Sequence, residues 1–236
     1  MNKARQPEFG TGNLRLPDEL REPLQAHLED LRQRYREMGW GGRVGFGLRP
    51  ALIVIDLARF WTEPDHQMGS DIDAVVEASC SVLDTARSVG IPIFFTTTDY
   101  DPADPPSPRD GKLVLNSLNP DVFDLDARLD RRPTEKIVRK KYASAFKSTN
   151  LHEMLTAAGV DTLIVTGVST SHCIYATCRD ATDSFRVIIP AEAVGERCEI
   201  MHEVNLLDID IDLGDVMPLA AVVECLKAVA ATTRAC

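Results

Sequence analysis

Short unbroken apolar runs alternate along this chain with longer stretches whose apolar residues recur every three or four positions. The short runs predict six strands at Ala51–Asp56, Ile91–Thr98, Lys136–Arg139, Thr162–Thr166, Arg186–Pro190 and near Val216–Met217. The periodic stretches predict helices over Ile72–Val89, Leu151–Ala158, His172–Ser184, Glu199–Asp208 and Leu219–Ala230. Strands that are apolar throughout are covered on both faces, as in a parallel sheet between helical layers. The expected fold is therefore α/β, a three-layer sandwich with a mostly parallel six-stranded sheet. An N-terminal helical extension precedes it, with Leu20, Leu24, Leu28, Leu31 and Tyr35 marking an amphipathic helix over Pro17–Met38. Residues 1 to about 16 read as disordered, and Gly39–Gly47 as a glycine-rich connector. The chain divides into an extension, 1–48, and one domain, 49–236, with no internal repeat. The Pro- and Asp-rich stretch Asp99–Asn119 is longer than a plain connection requires.

Composition narrows the function. The chain has 236 residues, a net charge of -10 and 44% hydrophobic residues, which suits a globular protein with a sizeable core. Such an acidic surface repels nucleic acid and anionic membranes, so neither is an expected partner. The six cysteines have no paired metal-type spacing, and Met1–Arg5 leads into polar sequence rather than an apolar stretch. A cytoplasmic protein with reduced thiols is the expectation.

In α/β folds, chemistry sits where strands end and helices begin. Three residues have that address: Asp56 after Ala51–Ile55, Lys140 after Lys136–Arg139, and Cys173 after Thr162–Thr166. A thiol in the first turn of a helix meets unpaired N–H groups and the positive dipole end, so a thiolate is expected. Singly, each has an ordinary reading: a core cysteine, a helix-capping aspartate, a surface lysine. Together, an acid, a base and a thiol at three strand ends point to a cysteine hydrolase. A nucleotide- or flavin-binding module is the competing class. It lacks support because Asp56-Leu-Ala-Arg-Phe60, not a Gly-x-Gly-x-x-Gly turn, follows the first strand.

The segments Ala51–Asp56, Lys140-Lys-Tyr-Ala-Ser-Ala-Phe146, Thr166-Gly-Val-Ser-Thr-Ser-His-Cys173, Cys178-Arg-Asp-Ala-Thr182 and Val187–Ala193 together resemble the isochorismatase-like cysteine hydrolase superfamily. Within it, the extension and Gly45–Leu52 look most like the N-carbamoylsarcosine amidases, with the maleamate amidohydrolases next. The resemblance implies Cys173 as nucleophile, Asp56 as base and Lys140, four residues before Ser144, as their electrostatic partner. Lys141 then points the other way. It also implies a cis peptide between Val168 and Ser169, with the N–H groups of Ser169 and Cys173 as oxyanion donors.

For substrate, the resemblance implies Arg197 as carboxylate clamp, helped by the hydroxyl of Ser169 or Thr170; an ion pair of Arg197 with Glu196 or Glu192 is the alternative. Phe60, Trp61 and Tyr100 are candidate pocket walls, with core packing or subunit contact left open. His172 is poorly placed as base, since adjacent helical residues point about 100° apart. Where nicotinamidases of this superfamily carry a metal-binding Asp-x-His, this chain has Asp99-Tyr-Asp101, so neither metal nor cofactor is expected. The implied function is hydrolysis of a C–N bond in a small carboxylate-bearing amide or N-carbamoyl compound, by a homo-oligomer (dimer or tetramer). An inactive binding protein on the same fold is the remaining alternative. Vinyl-ether hydrolysis is disfavoured because that branch lacks the nucleophilic cysteine.

Overall fold

The computed structural model describes residues 13–101, 103 and 119–234. Of the stretch expected to be disordered, 1 to about 16, residues 1–12 lie outside the described residues, as does most of 99–119; residues 13–16 are instead placed, with Leu14 and Leu16 bonded to the segment around Cys198 and Glu199. The described residues form seven strands: β1 (Pro50–Ile55), β2 (Ile93–Thr98), β3 (Lys136–Lys140), β4 (Thr162–Val168), β5 (Arg186–Pro190), β6 (Val194–Gly195) and β7 (Asp215–Met217). Six of them form a parallel path in the order β3-β2-β1-β4-β5-β7. The sequence pattern gives those six; the two-residue β6, too short to leave a pattern, pairs beside the C-terminal end of β4.

The helices are α1 (Asp18–Glu37), α2 (Arg59–Thr62), α3 (Asp73–Val89), α4 (Leu151–Ala157), α5 (Tyr175–Ala181), α6 (Glu199–Asp208) and α7 (Leu219–Arg234). Alternation along β1 explains the layers. Ala51, Ile53 and Ile55 join a core with Leu151 and Leu155 of α4 and Cys178 and Ala181 of α5. Leu52 and Val54 face the other way, onto Val76, Leu83 and Ala86 of α3 and Val222 and Leu226 of α7. All of β1 is buried, and each such Leu, Ile or Val contributes roughly 1.5–3 kcal/mol relative to exposure. Helix α3 ends on Gly90 at φ 79°, a left-handed cap whose N–H bonds the Ala86 carbonyl at 2.9 Å. Among the described residues, no helix is long and apolar enough to cross a membrane.

The N-terminal segment is tied to the domain by carboxylates. Asp215 accepts from the N–H groups of Val44 and Gly45, and Asp161 from those of Leu48 and Arg49. Helix α1 rests on its own domain through buried Leu28, an Arg21–Glu199 pair at 2.7 Å and an Arg32–Asp210 pair at 3.3 Å. Leu14 pairs in parallel with Cys198: the Leu14 N–H donates to the Arg197 carbonyl at 2.6 Å, and the Glu199 N–H donates to the Leu14 carbonyl at 3.0 Å.

Candidate active site

β1 connects onward to β2 and β3 on one side, whereas β4 and the later strands lie on its other side. The boundary between β1 and β4 is thus the switch point of the sheet, the place where α/β folds generally bind their ligands. Asp56 follows β1 there, with φ 52°, a left-handed backbone uncommon outside glycine. Opposite it, Ile55 is registered with Gly167. Gly167 has φ 111°, and a Cβ built there would come 2.0 Å from the Ile55 carbonyl oxygen, so no side chain fits beside the strand that delivers Asp56.

The three strand-end residues converge. Lys140 Nζ donates to Asp56 Oδ2 at 2.7 Å and to the Tyr142 carbonyl at 3.2 Å, and lies 3.3 Å from Cys173 Sγ. Asp56, Lys140 and Cys173 are all buried, between 3% and 7% exposed. Strand alternation separates Lys140 from Lys141, which is half-exposed and lies 3.9 Å from Asp99.

Thr96 of β2, which the sequence reading missed, completes the set. Its hydroxyl donates to Asp56 Oδ1 at 2.6 Å and accepts from the Asp56 N–H at 3.1 Å. One Asp56 oxygen thus faces Thr96 and the other Lys140. A threonine inside a strand carries no signal by itself; only its neighbour across the β1–β2 ladder gives it a role.

The electrostatics correct one expectation. Burial pushes the Cys173 thiol up to about 12, Asp56 pushes the same way, and Lys140 opposes them only in part. The resting group is a thiol, not the thiolate expected from the helix dipole. A dipole effect of that kind needs a regular first turn, but Thr170–Ile174 form a wider π-type turn ahead of α5, and burial outweighs the dipole. Burial also works against the Lys140 ammonium, yet its pKa is raised, with the Asp56 charge the leading opposing influence.

The peptide between Val168 and Ser169 is cis, as the resemblance implies. In the turn that follows, the N–H groups of His172 and Ile174 both donate to the Ser169 carbonyl, at 3.0 and 3.2 Å. The intervening Cys173 N–H takes no part in that pairing. His172 turns outward to Ser171 Oγ at 2.8 Å, away from the sulfur.

The predicted substrate contacts divide. Arg197 is half-buried, lies 5.4 Å from the Trp61 ring centre and donates to the Met68 carbonyl. Among the described residues, its guanidinium pairs with neither Glu196 nor Glu192; Glu192 accepts instead from the Leu219 N–H. Trp61 therefore sits beside the candidate carboxylate clamp. Phe60 is buried in a cluster with Val122 and Phe123, its ring 5.3 Å from Phe123. Tyr100 leans on the same Phe123 ring, also at 5.3 Å. Thr170 is fully buried, and its hydroxyl is already taken. It donates to the Gly195 carbonyl at 3.0 Å and so must accept from His202 Nδ1 at 2.9 Å, which fixes the His202 tautomer. Thr170 ties the turn to β6 rather than facing a ligand.

The isochorismatase domain model matches residues 50–221. The chain is 37% identical over 204 residues to an N-carbamoylsarcosine amidase from an Arthrobacter species, covering 82% of this chain and 77% of that one. It is 38% identical over 189 residues to a maleamate amidohydrolase from Pseudomonas putida, covering 75% and 87%. The fold matches the crystal structure of a cysteine hydrolase from Pseudomonas syringae, with a TM-score of 0.70, 24% identity and coverage of 77% and 94%. It also matches an N-carbamoylsarcosine amidase from Thermoplasma acidophilum, with a TM-score of 0.63, 21% identity and coverage of 72% and 96%. With this match and an Asp–Lys–Cys cluster at the sheet's switch point, the chain belongs to the isochorismatase-domain family of hydrolases.

Proposed function

We propose that the protein is a cysteine-dependent amidohydrolase that cleaves a linear amide or N-carbamoyl C–N bond in a small substrate bearing a carboxylate. The observation that carries this reading is the contact of one buried ammonium with both the carboxylate of Asp56 and the sulfur of Cys173. The amidase and amidohydrolase names of the relatives support the bond type.

Asp56 takes the proton of the Cys173 thiol as sulfur attacks the carbonyl carbon, so charge is not separated in advance in a buried site. The oxyanion is met by the N–H groups of Ser169 and Cys173. Asp56 then passes its proton to the leaving nitrogen, the C–N bond breaks, and ammonia departs from a thioester. A water molecule, deprotonated by Asp56, attacks the thioester; the acid is released and the proton returns to sulfur. Lys140 stays charged throughout and holds whichever neighbour is anionic. Arg197, with Trp61 beneath it, takes the substrate carboxylate.

A screen for ammonia release over carboxylate-bearing amides and N-carbamoyl amino acids, with Cys173→Ala as control, tests the reading and separates a maleamate-type from an N-carbamoylsarcosine-type preference. No release from any of them supports the inactive binding protein instead. A cytoplasmic homo-oligomer completes the proposal, with assembly read by elution from a calibrated sizing column.

A further inference from the structure

Glu196 follows the two-residue strand β6, whose register sets Val194 beside Gly167 and Gly195 beside Val168. Glu196 and Arg197 therefore leave the sheet alongside Ser169–Cys173, at the same C-terminal edge. The Glu196 side chain is only 5% exposed, and among the described residues no lysine or arginine lies within ion-pair distance of it. A carboxylate so deeply placed is retained only where hydrogen bonds satisfy it.

Its partners lie on two functional segments. Oε2 accepts from the Ser171 N–H at 3.2 Å and the Ser171 hydroxyl at 2.7 Å, two residues before the sulfur, and lies 4.0 Å from His172 Nδ1. Oε1 accepts from the backbone N–H of Arg197 at 2.9 Å. Arg197 is held from its other sides by Leu14 on its carbonyl, Met68 under its guanidinium and Trp61 beneath its plane. Those restraints come from the N-terminal segment and the residues around α2. Glu196 joins Arg197 to the turn that carries the nucleophile.

We propose that Glu196 is a positioning residue that fixes the spacing between the Cys173 sulfur and the Arg197 guanidinium, and thereby selects how far the substrate carboxylate lies from the scissile carbonyl. The proposal rests on the roles given above to Cys173 and Arg197. It makes Glu196 a determinant of substrate length, although Glu196 itself touches no reacting atom.

Alkylation of the intact protein tests it without a known substrate. N-iodoacetyl glycine, β-alanine and γ-aminobutyrate carry a carboxylate at increasing distance from one electrophilic carbon, and iodoacetamide is the neutral reference. Rates at Cys173 are read by peptide mass spectrometry and normalised to Cys80 in the same molecule. In the unaltered protein, one reagent length should exceed iodoacetamide at Cys173 by about tenfold or more, given what correct placement contributes to rate. Glu196→Ala should flatten the length profile to within about threefold. Glu196→Gln, which keeps the shape and one acceptor oxygen, should fall between and carries the test if the alanine variant does not fold. A residue that only stabilised the fold would lower the reactive fraction for every reagent equally and leave the profile intact. A profile unchanged in both variants overturns the role of Glu196 alone. An unaltered protein whose Cys173 shows no length preference overturns the carboxylate-clamp reading, and this proposal with it.

Discussion

Replacing Asp56 by asparagine should drive two properties of Cys173 in opposite directions. A thiol pushed up to about 12 is almost wholly protonated at pH 8. Burial is the largest reason and survives the substitution; the Asp56 charge is the next and does not. A like charge at such close range shifts a pKa by roughly 1–3 units. With burial retained, the lower part of that range applies, and the thiolate fraction should rise about tenfold to a hundredfold. Lys140, 3.3 Å from the sulfur, would then pair with the thiolate instead of the lost carboxylate. Alkylation by iodoacetamide follows the thiolate population, so its rate at Cys173 should rise by a similar factor. Turnover should fall by about 10²–10⁴, because the group that takes and returns the proton is gone. Pseudo-first-order alkylation and ammonia release, measured on one preparation at pH 8, read both numbers. If the Asp56→Asn substitution slows alkylation and turnover together, the resting proton lies on Asp56 rather than on sulfur, and the assignment of a neutral thiol is wrong.

Other consequences are equally concrete. Gly167→Ala would force a Cβ to within 2.0 Å of the Ile55 carbonyl at φ 111°, and should destabilise the fold by roughly 3 kcal/mol or more, seen as a lower thermal midpoint. Arg197→Ala should raise KM for a carboxylate-bearing amide about a hundredfold with a smaller change in kcat, since truncating one partner of a charged hydrogen-bonded contact costs about 2–5 kcal/mol. Burial pushes the pKa of Glu135 up, but the Arg87 guanidinium at 2.8 Å and the Arg132 N–H at 2.7 Å together lower it. A carboxylate with a depressed folded pKa contributes stability above its unfolded value, near pH 4.3, and loses it as pH falls through the folded value. Glu135→Gln should therefore flatten the decline of stability below about pH 4.5 in urea melts run across that range.

The fold was legible because its strands are buried on both faces and so appear as unbroken apolar runs. Ala51–Ile55 and Thr162–Thr166 needed no tertiary information to be placed. Asp56 was legible for a related reason, since a polar residue ending such a run emerges at the sheet edge; Lys140 ends the shorter β3 and Cys173 follows β4 at that same edge. What failed to show lies in contacts between segments. Thr96 gains its role from the strand beside it, and Glu196 from a turn 25 positions earlier in the chain. Phe60 and Thr170 have the right address, but one ring packs into its own aromatic cluster and the other side chain's hydroxyl turns inward to Gly195 and His202. Address along a strand gives the edge on which a side chain emerges, not the direction it takes afterwards. The thiol's ionisation was misjudged because helix position is visible in a sequence, whereas the depth of burial that opposes it is not.

Acid-quenching the enzyme during turnover of the best amide from the screen, then weighing the peptide that contains Cys173, tests the central claim most directly. Nucleophilic attack by sulfur predicts a peptide heavier by the substrate mass less ammonia, bound through a hydroxylamine-labile thioester and absent from Cys173→Ala, which should release no ammonia. Turnover that persists in Cys173→Ala, or an acyl group carried by any other residue, would contradict it.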